Sequence, residues 1–360
     1  MDNLPGFCIG DLEIKTPIFQ GGMGVGVSGK NLASAVANEG GVGLIASVGL
    51  GVLKGYSGSY SEANANALRD EIRGAREKSD GIIGVNVMHA LTDFEQQIRV
   101  CDEERVDFIV SGAGIPRDLP KHLDNKNTRL VPIVSSARYA TLIIRAWEKL
   151  GHRPDAIVIE GPLAGGHLGF KHEELVNGTT QSLEQITDEV LDIVGDKIPV
   201  VVAGGIYTGA DIYKALQRGA SGVQMGTRFV TTAECDAARA FKEEYLRATK
   251  DDIVLIKSPV GLPGRAISND FLKRIAGGER IKISCGYGCL KTCKPGESPY
   301  CIANALVEAN RGEFTRGYAF AGANAWRATP ETCLDSDGNF IPVKTLVGRL
   351  KAEYAAAAKK

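Results

Sequence analysis

Between Pro17 and Gly226 the chain alternates short apolar runs with longer stretches of helical spacing. Eight runs stand out: Pro17–Gln20, Val42–Ser47, Ile82–Val87, Phe108–Ser111, Leu130–Ser135, Ala156–Glu160, Val200–Ala203 and Val223–Gly226. Each has Gly, Ser or Asn at or beside its C-terminal end, the punctuation expected where a strand gives way to a loop. The runs are nearly continuous in their apolar character, as in parallel strands covered on both faces. The intervening stretches predict helices over Lys30–Asn38, Ser61–Lys78, Asp93–Glu103, Arg138–Leu150, Leu183–Val194, Gly209–Gln217 and Glu234–Ala248. Gly40, Gly151 and Gly219 stand where C-terminal stops are needed.

Eight βα units without a long interruption predict an α/β fold of the TIM type, a (β/α)₈ barrel. A doubly wound open sheet uses the same local pattern and is the competing architecture. In a barrel the reactive groups lie on the loops after the strands, so those residues are the ones to inspect. From about Asp251 onward the rhythm breaks into glycines, prolines and a cysteine tract. The expected division is therefore a barrel over residues 1–250 and a C-terminal appendage over 251–360. The appendage is expected to fold over the barrel mouth and to end in a helical or frayed tail at Ala355–Lys360.

The 360 residues carry 42 basic and 43 acidic side chains. That balance gives no electrostatic footprint for nucleic acid and no polybasic patch for a membrane, so the expected partner is a small molecule. Met1 to Glu13 holds Asp2, Asp11 and Glu13 and lacks the basic flank and apolar run of a secretory leader. No apolar stretch reaches spanning length. The expected location is the cytoplasm, where eight cysteines read as buried thiols, catalytic thiols or metal ligands rather than disulfides. A homodimer and a redox-protein electron donor are compatible with this picture.

The loop after the seventh run reads Ala203-Gly204-Gly205-Ile206, with Thr208 and Asp211 at a helix start, and the eighth run ends in Gln224-Met225-Gly226-Thr227-Arg228. These are the two barrel loops that commonly hold phosphate, because glycine lets backbone N–H groups approach an anion and a helix N-terminus favours negative charge. The alternative is that the glycines only serve tight turns. Gln20-Gly21-Gly22-Met23-Gly24 offers open backbone on which a flat ring can lie. Asn86 puts a carboxamide that both donates and accepts at the end of the third run. His167, in Glu160-Gly161-Pro162-Leu163-Ala164-Gly165-Gly166-His167, follows the sixth run and can take or give a proton near neutrality. His89 follows the third run and is a further candidate for the pocket.

As an ordered set, Thr16 to Gly24, Gly84-Val85-Asn86, Ala164-Gly165-Gly166-His167, Val202 to Ile206 and Gln224 to Thr227 resemble the nitronate monooxygenase (2-nitropropane dioxygenase-like) family and its relatives, the flavin-dependent enoyl-ACP reductases. Pro263-Gly264-Arg265 is a weaker echo. The resemblance implies an FMN whose phosphate sits at Gly204, Gly205, Gly226 and Thr227 and whose ring contacts Gly22, Met23 and Asn86. Glu160, Ala164, Gly165 and Gly166 complete the binding set, and His167 faces the reactive side as catalytic base or orienting group. Three positions depart from the family pattern. The monooxygenases often carry Glu at the position of Leu163 and Gln at that of Glu160, and the reductases usually carry Ser at that of Ala164.

Cys285-x3-Cys289-x3-Cys293-x7-Cys301 supplies four thiols on one tract, the ligand count of a [4Fe–4S] cluster or a zinc ion. The spacing is not that of the common C-x2-C zinc pairs, and buried structural thiols are the third alternative. The leading expectation is an FMN-dependent nitronate monooxygenase. A second is an NAD(P)H-dependent enoyl or quinone reductase using FMN and a cluster. A third, of another class, is a flavin and iron–sulfur electron-transfer or redox-sensing module.

Overall fold

The structure, a computed structural model, describes residues 4–359. Asp2 in the N-terminal stretch and Lys360 at the tail lie outside the described residues. An N-terminal hairpin, β1 (Phe7–Ile9) and β2 (Leu12–Ile14), leads into β3 (Ile18–Gln20), α1 (Lys30–Asn38), β4 (Val42–Ala46), α2 (Leu50–Lys54) and α3 (Tyr60–Arg76). Then come β5 (Ile82–Met88), α4 (Phe94–Glu103), β6 (Phe108–Gly112), β7 (Arg129–Val134), α5 (Ala137–Glu148) and β8 (Ile157–Glu160). A two-residue strand, β9 (Gly166–His167), precedes α6 (His172–Asn177), α7 (Leu183–Val194), β10 (Val200–Ala203), α8 (Gly209–Gln217) and β11 (Gly222–Met225). The remainder is α9 (Thr227–Val230), α10 (Arg239–Arg247), β12 (Ile253–Lys257), β13 (Pro263–Ile267), α11 (Asp270–Ala276), α12 (Ile302–Asn310), α13 (Pro330–Cys333) and α14 (Val343–Ala358).

The strands β3, β4, β5, β6, β7, β8, β10 and β11 close into a parallel barrel, with β11 returning to β3 through pairs such as Gln224 with Phe19. The fold is thus the TIM-type barrel rather than an open sheet. Alternation along each strand divides the core. Phe19, Leu44, Phe108, Val110, Val158 and Val201 fill the barrel interior, and Ile9 and Ile14 of the hairpin plug its lower end. Their neighbours Ile18, Ile45, Ile109, Ile159 and Val202 pack outward against the helices. Each aliphatic side chain so buried contributes roughly 1.5–3 kcal/mol.

The connection from β6 to β7 holds only a single 3₁₀ turn at Leu119–His122 where the other units hold an α-helix. After β11 the chain does not go straight to the outer ring. It builds a sheet of β12, β13 and β9 at the mouth, with its own core around Phe271, Tyr300 and Tyr318. α14 then returns to pack on α8 and α1, in the place of the eighth barrel helix. Among the described residues no helix is long and apolar enough to cross a membrane.

Candidate active site

The C-terminal ends of the strands open on a cavity of about 970 Å³, at the upper end of the range for small-molecule sites. Gly22 and Met23 after β3, Asn86 on β5 and Glu160 on β8 all line it. So do Ala164, Gly165, Gly166 and His167 on the loop that follows, Gly204 and Gly205 after β10, and Gly226 and Thr227 after β11. His89 does not reach it: the imidazole packs edge-on against Phe94, with ring centroids 4.9 Å apart.

Local geometry explains the glycines. At Gly22 a Cβ would lie 2.3 Å from the Cβ of Asn86, so only glycine lets the first loop rest on the carboxamide. The Ser28 hydroxyl accepts from Met23 N–H at 2.9 Å and holds that loop in its turn. Gly204 and Gly205 have φ of 96° and 92°, and a Cβ on Gly204 would come within 2.9 Å of the Gly161 carbonyl. Their backbone can therefore approach both the His167 loop and a ligand. The helix start expected to face an anion is already occupied. In α8 the Thr208 hydroxyl and the Asp211 carboxylate cap one another's backbone, and Glu353 from α14 accepts from Gly209 N–H at 2.7 Å. A phosphate here would be met by the glycine loops themselves.

His167 is held on three sides. β9 exists because β13 pairs with it, His167 opposite Gly264 and Gly166 opposite Arg265. The imidazole Nε2 lies 2.7 Å from the Ser258 hydroxyl in the turn between β12 and β13, and the Phe320 ring packs edge-on at 5.0 Å. Burial lowers the His167 pKa to about 4, so the imidazole is neutral at physiological pH. Burial acts oppositely on the carboxyl of Glu160 and raises it to about 8. The site thus pairs a neutral base with a protonated acid, the divergence by which environment assigns acid and base roles. Arg265 is buried, and its guanidinium donates to the carbonyls of Pro162, at 2.8 Å, and Ala164, fixing the loop that carries the histidine.

Ser258, Phe320 and Asn324, whose amide donates to the Gly205 carbonyl at 2.6 Å, were not legible in the sequence. They come from beyond the barrel's eight strands, with no local pattern to mark them. Arg265 gave a signal only through its Pro-Gly-Arg neighbourhood. One further residue bears on a cofactor. The Oε1 of Gln224 is buried with no hydrogen-bond partner, on a residue that lines the cavity. A stranded acceptor beside open glycine backbone suits the N–H-bearing edge of a flavin ring.

The four cysteines of the tract divide. Cys289 is buried and lines the cavity, Cys293 and Cys301 are half-buried, and Cys285 is exposed. Among the described residues no three His, Cys, Asp or Glu side chains gather around a point that would hold a single metal ion.

The profile of the nitronate monooxygenase family matches residues 7–95 and 57–335. A probable nitronate monooxygenase of Staphylococcus aureus is 30% identical over 305 residues, covering 74% of this chain and 79% of its own. A (3aS,4S,5R,7aS)-5-hydroxy-7a-methyl-1-oxo-octahydro-1H-indene-4-carboxyl-CoA dehydrogenase of Mycobacterium tuberculosis is 30% identical, covering 75% of this chain and 68% of its own. Among solved structures, FabK from Thermotoga maritima superposes with a TM-score of 0.74 at 27% identity, over 96% of this chain and 94% of its own. Barrel, cavity and likeness together define an enzyme of the flavin-dependent oxidoreductase class. Within that class, the chain belongs to the nitronate monooxygenase family.

Proposed function

We propose that the protein binds FMN in this cavity and oxidises small alkyl nitronates with molecular oxygen. When bound, FMN supplies a two-electron acceptor that oxygen can reoxidise. Gly204, Gly205, Gly226 and Thr227 would hold its phosphate, and Gly22, Met23, Asn86 and Gln224 its ring. The observation that carries the reading is the half-buried His167, neutral near pH 7 with its Nε2 against Ser258. With Nε2 engaged by Ser258, the other ring nitrogen is left for substrate. An unprotonated nitrogen there takes the α-proton of a nitroalkane, and the opposite tautomer donates to a nitronate oxygen. Arg265 and Phe320 keep the ring where either can happen. Eight free thiols accord with a cytoplasmic setting.

The test is His167→Asn assayed by oxygen uptake with alkyl nitronates. Bound flavin should stay stoichiometric while turnover falls on the order of 10²–10⁴-fold, the usual worth of a placed acid–base group. Unchanged turnover with flavin bound would remove His167 from the reaction.

Glu160 favours a second reading, NAD(P)H-dependent reduction of an activated double bond in an acyl thioester or of a quinone. A carboxyl with its pKa near 8 is a proton donor at neutral pH, which reduction needs and nitronate oxidation does not. The likeness to FabK and to a dehydrogenase of a CoA-linked compound supports it. NADH consumption without nitronate would put this reading first.

A further inference from the structure

We propose that Arg228 and Arg327, held over the ring of Tyr207, supply the positive charge by which the glycine-loop end of the cavity selects a phosphomonoester dianion. The inference rests on the proposed flavin binding and deepens it: these two positioning residues would make the site choose FMN over uncharged riboflavin.

Three segments converge at that end. Gly204 and Gly205 after β10, Gly226 and Thr227 after β11, and Gly322, Ala323 and Asn324 of the mouth insertion all line the cavity. They are tied to one another. Gly322 N–H donates to the Thr227 hydroxyl at 3.0 Å, and the Asn324 amide donates to the Gly205 carbonyl at 2.6 Å. The groups these loops can turn toward an anion are backbone N–H donors, a hydroxyl and an amide, all neutral. They can take the place of water around a phosphate but do not balance its charge.

The charge stands behind them. Each segment sends a nearby side chain, Tyr207, Arg228 or Arg327, into one stack. The guanidinium carbons of Arg228 and Arg327 lie 4.7 and 4.9 Å from the Tyr207 ring centroid, and Arg228 Nη1 donates to the Tyr207 hydroxyl at 3.2 Å. Tyr207 lines the cavity and neither arginine does, so their charge reaches a ligand across the loops rather than by contact.

Arg228 is the more telling of the two. It is 5% exposed, and a guanidinium keeps its proton inside a protein. Half-buried Arg327 has Asp211 at 3.8 Å, although that carboxylate also accepts from the Thr208 hydroxyl at the start of α8. Among the described residues no carboxylate pairs with Arg228, and its Nε is buried with no acceptor. A buried cation without a counter-ion is destabilising, and the face of a phenol offsets only part of that. Packing alone would be served as well by an apolar side chain of similar volume. Charge so placed is little screened by salt and acts through a low effective dielectric, which favours a dianion at the adjacent loops.

The experiment is to free the full chain of flavin and titrate it with FMN, riboflavin and inorganic phosphate, following flavin fluorescence and melting temperature. The wild type should prefer FMN, and the preference should shrink below about pH 6, where a phosphomonoester takes up a proton. In Arg228→Met, FMN affinity should fall on the order of 10–100-fold while riboflavin affinity holds, and the pH dependence of the preference should flatten. The flavin-free variant should melt no lower than the wild type, because an unpaired buried cation has been removed. Arg228→Lys should recover part of the preference, and Arg327→Met should act in the same direction more weakly. An unchanged FMN-to-riboflavin ratio in Arg228→Met, or an equal loss of both flavins, overturns the inference. If Arg228→Met does not fold, an unchanged ratio in both Arg228→Lys and Arg327→Met overturns it instead. Wild-type protein that binds neither flavin but is stabilised by phosphate, with that gain lost in the variants, overturns the proposed function and leaves the anion site standing. No response to flavin or phosphate overturns both.

Discussion

The chemistry of His167 is set by where its ring is kept. An exposed imidazole titrates near 6.5, whereas burial against Phe320 and the β12–β13 turn brings His167 to about 4. The sign is that of a cation disfavoured in the folded state. Protons bind the unfolded chain more readily between about 4 and 6.5, so this residue's contribution to stability is full above 6.5 and is lost as pH falls toward 4. Catalysis should follow the folded value. The acid limb of kcat/KM, which reports the free enzyme, is expected near pH 4 if His167 is the base. A limb near 6.5 would mean that the reacting imidazole is solvated, which the contact to Ser258 does not allow. Ser258→Ala should move the limb upward by admitting water to Nε2, with flavin content unchanged.

At the scale of loops and strands, the sharpest constraint is Gly204. Its φ of 96° and the 2.9 Å that a Cβ would have to the Gly161 carbonyl place two penalties on Gly204→Ala, backbone strain of about 1–2 kcal/mol and a collision with the loop that leads to His167. Gly261→Ala is the comparison, since Gly261 has φ of 84° but open space around it. Weaker FMN binding on fluorescence titration is expected for Gly204→Ala alone, with a lowered melting temperature in both. The same scale shows what was legible. The eight barrel strands fall within two residues of the apolar runs because strands buried on both faces leave an unbroken apolar signature. The stops at Gly40, Gly151 and Gly219 are readable because each has positive φ. β9 was not readable: two residues become a strand only through pairing with β13, a contact across the fold. The helix expected from Glu234 begins instead at Arg239, because the acidic residues before it serve other helices. Asp236 accepts from Gly29 and Leu32 N–H at the start of α1, and Glu234 from Val343 N–H at the start of α14. Their local helical pattern was real, and long-range capping overrode it.

For the molecule as a whole, the question is what keeps a barrel closed when its eighth unit is interrupted at the mouth. More than a hundred residues, among them the sheet of β12, β13 and β9 at the mouth, separate β11 from α14, which packs on α8 and α1. α14 brings Val343, Leu346, Val347 and Leu350 into the core, and Glu353 onto the N-terminus of α8. The approach is so close that a Cβ on Gly209 would lie 2.1 Å from the Leu350 carbonyl. α8 itself begins four residues after Gly205, so the packing of α14 also sets the position of the Gly204–Gly205 loop. Leu350→Ala should cost about 2–5 kcal/mol as a fully buried leucine removed from a helix interface. It should also loosen flavin binding, although residue 350 does not line the cavity. Because a ligand that binds only the folded form stabilises it by mass action, added FMN should recover part of the lost melting temperature, in proportion to the logarithm of its concentration. If the variant melts early but binds FMN as tightly as the parent, α14 seals the barrel without positioning the loop, and the hold on that loop comes instead from the mouth insertion, where Asn324 donates to the Gly205 carbonyl.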